Sequence, residues 1–294
     1  MPFAANGDVS LHFDSIGDVD APAVLLLAGA GRQSIDFSLA FCNAIAERGF
    51  RVIRYDQRDT GFSTGFAHVP PDATGVEMAV AAGQEPTLAY AVDALAEDAR
   101  AVLDAAGAPK AHLFGRSLGA LTAQVLAIRH PNRIVSATLV MAFSRSIGNE
   151  ISGERLAQMD KDSFDAVSFA DRQVAIARAV GNPDYFDEAR IRADAAQAFA
   201  RGHPAGSIAR HFMVGLAAPD LRPDLAGLRL PVQVIQGARD RIIPLHMGAE
   251  TAAAIPGARY VVFDDMAHEG PPQLWTRWID LFAANAARDL SDGT

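Results

Sequence analysis

Ala111-His112-Leu113-Phe114-Gly115-Arg116-Ser117-Leu118-Gly119-Ala120 is the stretch whose reading decides the fold. Ala111 to Phe114 reads as a buried strand. Leu118 to His130 reads as a helix that stops before Pro131. Between them stands Gly-x-Ser-x-Gly, a pattern that many chains contain by chance. Its placement between strand and helix makes the signal strong. The turn is so tight that the serine sits strained at the strand end with its hydroxyl exposed. A side chain at either flanking glycine would collide with a neighbouring strand or helix. Ser117 is therefore the candidate nucleophile.

Working outward, Val9 to Phe13 alternates and reads as an early edge strand, while Ala23 to Ala28 reads as a fully buried one. A helix over Ser38–Arg48 closes at Gly49, and Arg51 to Tyr55 is a further buried strand. Residues 66–86 read as a long loop with one short helix at Val76–Ala82. Thr87 caps a helix that runs to Ala106. Ile134 to Met141 is a strand. From Phe143 to Pro231 the pattern is helical throughout, with helices within Ser152–Met159, Phe164–Val180, Asp187–Ala200 and Ser207–Leu216. Alternation then returns: strand Val232–Gln236, helix Leu245–Ala254, strand Tyr260–Phe263, helix Gln273–Ala287. Strands alternating with helices predict an α/β fold with a mostly parallel central sheet flanked by helices. The expected organisation is a core of residues 1–143 and 231–294, with 144–230 inserted as a helical cap.

A serine hydroxyl is a poor nucleophile near neutral pH. It needs a base within hydrogen-bonding distance, and the base needs an orienting group. After a nucleophile turn of this kind the chain order is serine, acid, histidine. Asp240 follows the strand Val232–Gln236, at the strand end where parallel sheets place their sites. The plainer reading is a loop carboxylate paired with Arg239 or Arg241; Asp264 and Asp265 are fallback acids. Of the eight histidines, His268 alone follows a late strand on a short loop before the closing helix. His12, His68, His112, His130 and His246 read as packing or surface residues, whereas His203 and His211 lie in the cap and could touch a substrate. The oxyanion formed on a carbonyl is stabilised by fixed backbone N–H groups. Leu118, in the first turn of its helix, and Ala30, in the loop after Ala23–Ala28, are the expected donors.

The rival reading of Gly29-Ala30-Gly31 as a dinucleotide fingerprint fails because position 34 is Ser, and no acidic residue ends the next strand in the ribose-binding role, although Asp56 comes close. There is no Gly-Lys-Ser/Thr loop and no His-Glu-x-x-His. No metal and no organic cofactor is expected. The net charge of −9 over 294 residues disfavours nucleic acid as a partner. Cys42, the single cysteine, excludes an intrachain disulfide and reads as a small apolar packing residue. Met1 to Ser10 has no basic region leading into an apolar stretch, and the longest apolar run, Ala21–Ala30, is about half of what spans a bilayer. A cytoplasmic protein with no membrane partner is expected; a homodimer is left open.

On these residues the chain resembles the α/β-hydrolase superfamily along nearly its whole length. Tyr55-Asp56-Gln57-Arg58-Asp59-Thr60-Gly61-Phe62-Ser63, Leu26-Leu27-Ala28-Gly29-Ala30 and Met266-Ala267-His268 look like the signature of the aclacinomycin-methylesterase-like group. The resemblance implies the α/β-hydrolase fold, a triad of Ser117, Asp240 and His268, oxyanion donors at Ala30 and Leu118, and a helical cap. Two features depart from that group: a longer segment between Ser63 and Thr87, and Arg116 before the serine. Arg116 is expected to pair with a carboxylate below the turn or, failing that, to contact substrate, and Asp56–Ser63 to hold the loop beside the nucleophile. The predicted activity is acyl transfer from a small ester to water through an acyl-enzyme. The alternatives are a lactonase or acyltransferase on the same residues, or a weakly hydrolytic ligand receptor of the same fold. Phe164, Phe169, Phe186 and Met213 in the cap suggest an apolar substrate.

Overall fold

In the computed structural model, which describes residues 2–148 and 165–288, the apolar runs pair into one eight-stranded sheet. Its strands are β1 (Phe3–Asn6), β2 (Val9–Ile16), β3 (Ala23–Leu27), β4 (Arg51–Tyr55), β5 (Ala111–Arg116), β6 (Ile134–Val140), β7 (Val232–Gly237) and β8 (Arg259–Phe263), in the order β1-β2-β4-β3-β5-β6-β7-β8. Pairing is antiparallel from β1 to β2 and from β2 to β4, and parallel elsewhere. β3, β5 and β7 are buried at every position. Helices cover both sheet faces, which is why these segments read as continuous apolar runs rather than alternations. The helices are α1 (Leu39–Ala46), α2 (Ala73–Ala81), α3 (Val92–Ala105), α4 (Leu118–Arg129), then α5 (Ala166–Val180), α6 (Glu188–Arg201), α7 (Ser207–Leu216) and α8 (Arg222–Leu225) between β6 and β7, and finally α9 (Leu245–Ala254) and α10 (Pro272–Ala286).

Three expectations are corrected. Val9–Phe13 is not an edge strand: β2 runs on to Ile16 and is sandwiched between β1 and β4. The edge is β1, joined to β2 by the two-residue turn Gly7-Asp8, with Gly7 at φ +58°. A glycine at the first central position of a tight hairpin supplies that left-handed angle. Thr87 is not a helix cap, since α3 begins five residues later at Val92. The intervening Tyr90 is drawn into the core, where its hydroxyl donates to Asp59 Oδ2 at 2.9 Å. That tertiary bond overrides the local capping preference. The short helix of the long loop starts at Ala73, capped by Asp72, rather than at Val76. The helix expected at Ser152–Met159 lies outside the described residues.

The helices between β6 and β7 divide into two parts. Phe169, Ala170 and Ala195 form a small apolar cluster between α5 and α6, separate from the main core. Met213, Val214 and Leu216 of α7, with Leu225 of α8, belong instead to the main cluster that includes β3 and β5.

Candidate active site

The turn from β5 into α4 has the strain the sequence implies. Ser117 stands at φ +54°, ψ −118°, a left-handed setting rare for a residue with a side chain. Its amide is tied to Val140 O of β6 at 2.9 Å. A Cβ on Gly115 would run into the backbone of Gly119 and Ala120, and one on Gly119 into the carbonyls of Leu27 and Ala28. The two glycines let three backbones meet, and the serine hydroxyl is left facing the cavity.

Asp240 sits in the loop after β7 and accepts from both sides. Its Oδ1 takes the amides of Ile242 and Ile243, each at 2.8 Å; its Oδ2 takes Gln236 Nε2 at 3.3 Å and His268 Nδ1 at 2.8 Å. The carboxylate is fully buried, so four donors leave it one orientation. His268, after β8, completes the chain with Nε2 3.1 Å from Ser117 Oγ. A carboxylate can only accept, so Nδ1 carries the imidazole proton and Nε2 accepts from the serine hydroxyl. Three residues 123 and 28 positions apart in sequence thus meet at one end of the sheet. The plainer reading of Asp240 does not hold: Arg239 reaches Asn182 at 2.9 Å and Asp184 at 3.3 Å instead. Of the two fallback acids, Asp264 and Asp265, the latter binds Tyr185 and Arg277.

Gly29 backs onto the serine, where an added Cβ would lie 3.6 Å from Ser117 Cβ. Ala30 and Ser117 share one cavity, and among the described residues the Ala30 amide has no acceptor. The Leu118 amide, first of α4, has no acceptor within its helix. Ala30 thus lines the cavity beside Ser117, and Leu118 follows the serine as the first residue of α4.

The cavity holds about 270 Å³. Ser117, His268 and the Gly29–Gly31 loop line its polar side; the inserted segment adds the apolar Phe169, Ile176, Phe186, Ile191 and Phe212 together with the polar Gln173, Arg190, Asp194 and His203. Of the four residues expected to suggest an apolar ligand, Phe169 and Phe186 line it, Met213 lies in the main core, and Phe164 is outside the described residues. His203 lines it too, against the Phe169 ring at 4.6 Å. Arg116 does pair with a carboxylate, but with Asp36 from the loop after β3, on the cavity wall rather than below the turn. Burial pulls the Arg116 guanidinium below its ordinary value, and the Asp36 charge opposes this. Burial likewise pushes Glu269 and Asp194 on the cavity wall above the usual carboxylate range.

The Asp56–Ser63 segment acts as the sequence suggested. Asp56 Oδ1 accepts from the Ser34 amide at 2.8 Å and Oδ2 from the Phe62 amide at 3.0 Å, while Gln57 Nε2 donates to Ala28 O at 2.7 Å. Sequence reasoning missed Asn182. Its amide donates to Glu269 Oε1 at 2.7 Å and its Nδ2 to Asp265 O at 2.8 Å, joining the inserted helices to the histidine loop. Only the preceding Gly181 hinted that a helix ends there.

Residues 22–272 match the family described as alpha/beta hydrolase fold, and the chain belongs to that family. Within it, similarity runs to a methylesterase-like group. The chain is 30% identical to the rhodomycin D methylesterase of Streptomyces sp. strain C5 over 90% of both chains. It is 29% identical to that of Streptomyces peucetius, over 90% of this chain and 91% of the relative. Among solved structures, the enol-lactonase from Burkholderia xenovorans LB400 superposes with a TM-score of 0.76 at 25% identity, covering 98% of this chain and all of the other. No helix among the described residues is long and apolar enough to cross a membrane.

Proposed function

We propose that the chain is a serine hydrolase of small carboxylic esters, with Ser117 as nucleophile, His268 as general base and Asp240 as the group that orients and stabilises the imidazole. The observation that carries this is the hydrogen-bonded chain from Oγ to Nε2 at 3.1 Å and from Nδ1 to Oδ2 at 2.8 Å, opening on a cavity. As Oγ bonds to the ester carbon, its proton passes to Nε2. The negative charge that gathers on the carbonyl oxygen meets the amides of Ala30 and Leu118. Collapse breaks the ester bond, and the alcohol leaves with the proton from His268. Water, deprotonated by the same nitrogen, then cleaves the acyl-enzyme. In this reading residues 144–230 form the cap, and their apolar roof holds the nonpolar part of the substrate. The relatives named as methylesterases favour a small alcohol.

Replacing Ser117 by Ala should lower turnover of a p-nitrophenyl ester by on the order of 10⁶-fold, as removal of the serine does in comparable triads. Turnover near that of the wild type would end the proposal. A second reading, cleavage of a lactone by the same residues, is favoured by the likeness to the enol-lactonase and by 27% identity over 80% of this chain to 3-oxoadipate enol-lactonase 2 of Acinetobacter baylyi. Parallel panels of p-nitrophenyl esters and lactones separate the two by kcat/KM.

A further inference from the structure

The loop that carries Ala30 is not held by the core alone. The Gly31 amide donates to Nδ1 of His211 at 2.8 Å, and the other ring nitrogen, Nε2, donates to Arg58 O at 3.0 Å. An amide can only donate and a carbonyl can only accept, so both bonds require one tautomer: neutral imidazole with its proton on Nε2. The ring is fully buried. The charged neighbours do not compete for it. Asp59 is engaged by Arg210 at 2.6 Å and by the Tyr90 hydroxyl, Arg58 pairs with Asp98 at 2.6 Å, and the Tyr90 ring meets His211 edge-on at 5.8 Å. Burial lowers the affinity of His211 for a second proton, in keeping with the neutral form. α7 presses on the same loop through Ile208, which leaves no room for a Cβ at Gly31, itself at φ +66°.

From this arrangement we infer that His211, on an inserted helix, is a positioning residue that fixes the Gly29–Gly31 loop and thereby aims the Ala30 amide at the oxyanion. The inference rests on the assignment of Ala30 as oxyanion donor. An apolar side chain could fill the space but would leave the Gly31 amide and the Arg58 carbonyl unpaired. It would also free the loop to move away from the serine. A displacement of about 1 Å in a catalytic group can cost on the order of 10²-fold in rate.

Asn and Leu have the same shape and differ in whether they can accept a hydrogen bond, so His211→Asn and His211→Leu make the test, with p-nitrophenyl butyrate as substrate and phenylboronic acid as a tetrahedral analogue. His211→Leu is expected to lower kcat by about 10–100-fold with KM within about threefold, and to weaken boronate inhibition by a similar factor. His211→Asn, which keeps an acceptor for Gly31, should recover most of that loss. A folded Leu variant with unchanged kcat overturns the inference, as does a kcat loss that Asn does not recover or that leaves boronate inhibition intact. If the Leu variant does not fold, the wild-type imidazole ¹⁵N spectrum decides: His211 should carry its proton on Nε2 alone, and a proton on Nδ1 overturns the inference. The Ser117→Ala assay judges the underlying reading separately. If that variant stays active, the proposed function fails whatever His211 does.

Discussion

Removing the guanidinium of Arg210 should be among the most damaging single changes available outside the cavity. Arg210 on α7 grips Asp59 with two bonds, Nε to Oδ2 at 2.6 Å and Nη2 to Oδ1 at 3.0 Å, and also donates to Val69 O at 2.9 Å and Ala205 O at 2.6 Å. The pair is 1% and 0% exposed. Arg210→Met fills a similar volume but strands a buried carboxylate with only the Tyr90 hydroxyl and the Phe66 amide, at 2.9 Å each. Breaking a buried pair in this way costs about 3–5 kcal/mol. At about 2–4 °C per kcal/mol for a large domain, the melting temperature should fall by roughly 6–20 °C. The loss comes mainly from the orphaned charge, so adding Asp59→Asn should restore at least about 1 kcal/mol. Asn suits the position because it tolerates the φ of +70° that Asp59 adopts. As a control, Arg192→Met breaks an exposed pair with Asp171 and should cost less than about 1 kcal/mol. Urea unfolding followed by circular dichroism measures all four chains. A loss under about 1 kcal/mol for Arg210→Met, or a double variant no more stable than the single one, would refute the reasoning.

Two further outcomes are expected. In Asp240→Asn, the side-chain oxygen stays with the Ile242 and Ile243 amides, so the NH₂ group faces His268 and forces its proton onto Nε2, where it cannot accept from Ser117; kcat on a p-nitrophenyl ester should drop on the order of 10⁴-fold. Glu269 has its folded-state pKa raised by burial, so the folded chain binds the proton more tightly than the unfolded one, and stability falls as pH rises through and above the ordinary carboxylate range. Glu269→Gln removes that penalty and should raise the melting temperature relative to wild type more at pH 8 than at pH 4; an advantage independent of pH would contradict the assignment of burial as the cause.

The sheet was legible because its central strands are buried on both faces and bounded by glycines, and because each parallel crossover needs a helix of its own. The nucleophile turn was legible because only glycine fits where Gly115 and Gly119 stand. Asp240 and His268 could be found from chain order and from their positions after strands. What stayed hidden depends on contacts between distant residues. β1 is short and offers little alternation. The start of α3 is set by Tyr90 reaching Asp59, and nothing in the local sequence of 87–92 reports that bond. The partner of Arg116 comes from 80 positions upstream, Asp36, and His211 looked like any histidine on a helix until Gly31 and Arg58 met it.

The described helices between β6 and β7 are bonded to the rest of the chain in two different ways. α5 and α6 pack on each other through Phe169 and Ala195 and give the cavity much of its apolar roof. α7 is continuous with the main core, holds a buried ion pair to Asp59, and reaches the loop behind the serine through His211. A change in the α5–α6 roof alters the surface a substrate leaves water to meet, and so acts on which molecule binds. On the proposed reading, a change at His211 of α7 acts on the loop that carries Ala30 and so on the rate of reaction. The α5–α6 pair is anchored at its two ends, by Asn182 on the histidine loop and by Arg201, whose guanidinium reaches Asp56 at 2.7 Å. The end of α5 also touches the histidine directly, since the His268 amide donates to Val180 O at 3.1 Å. α7 therefore meets the site in two ways, since its Ile208 and Phe212 line the cavity while its His211 holds the Gly31 amide.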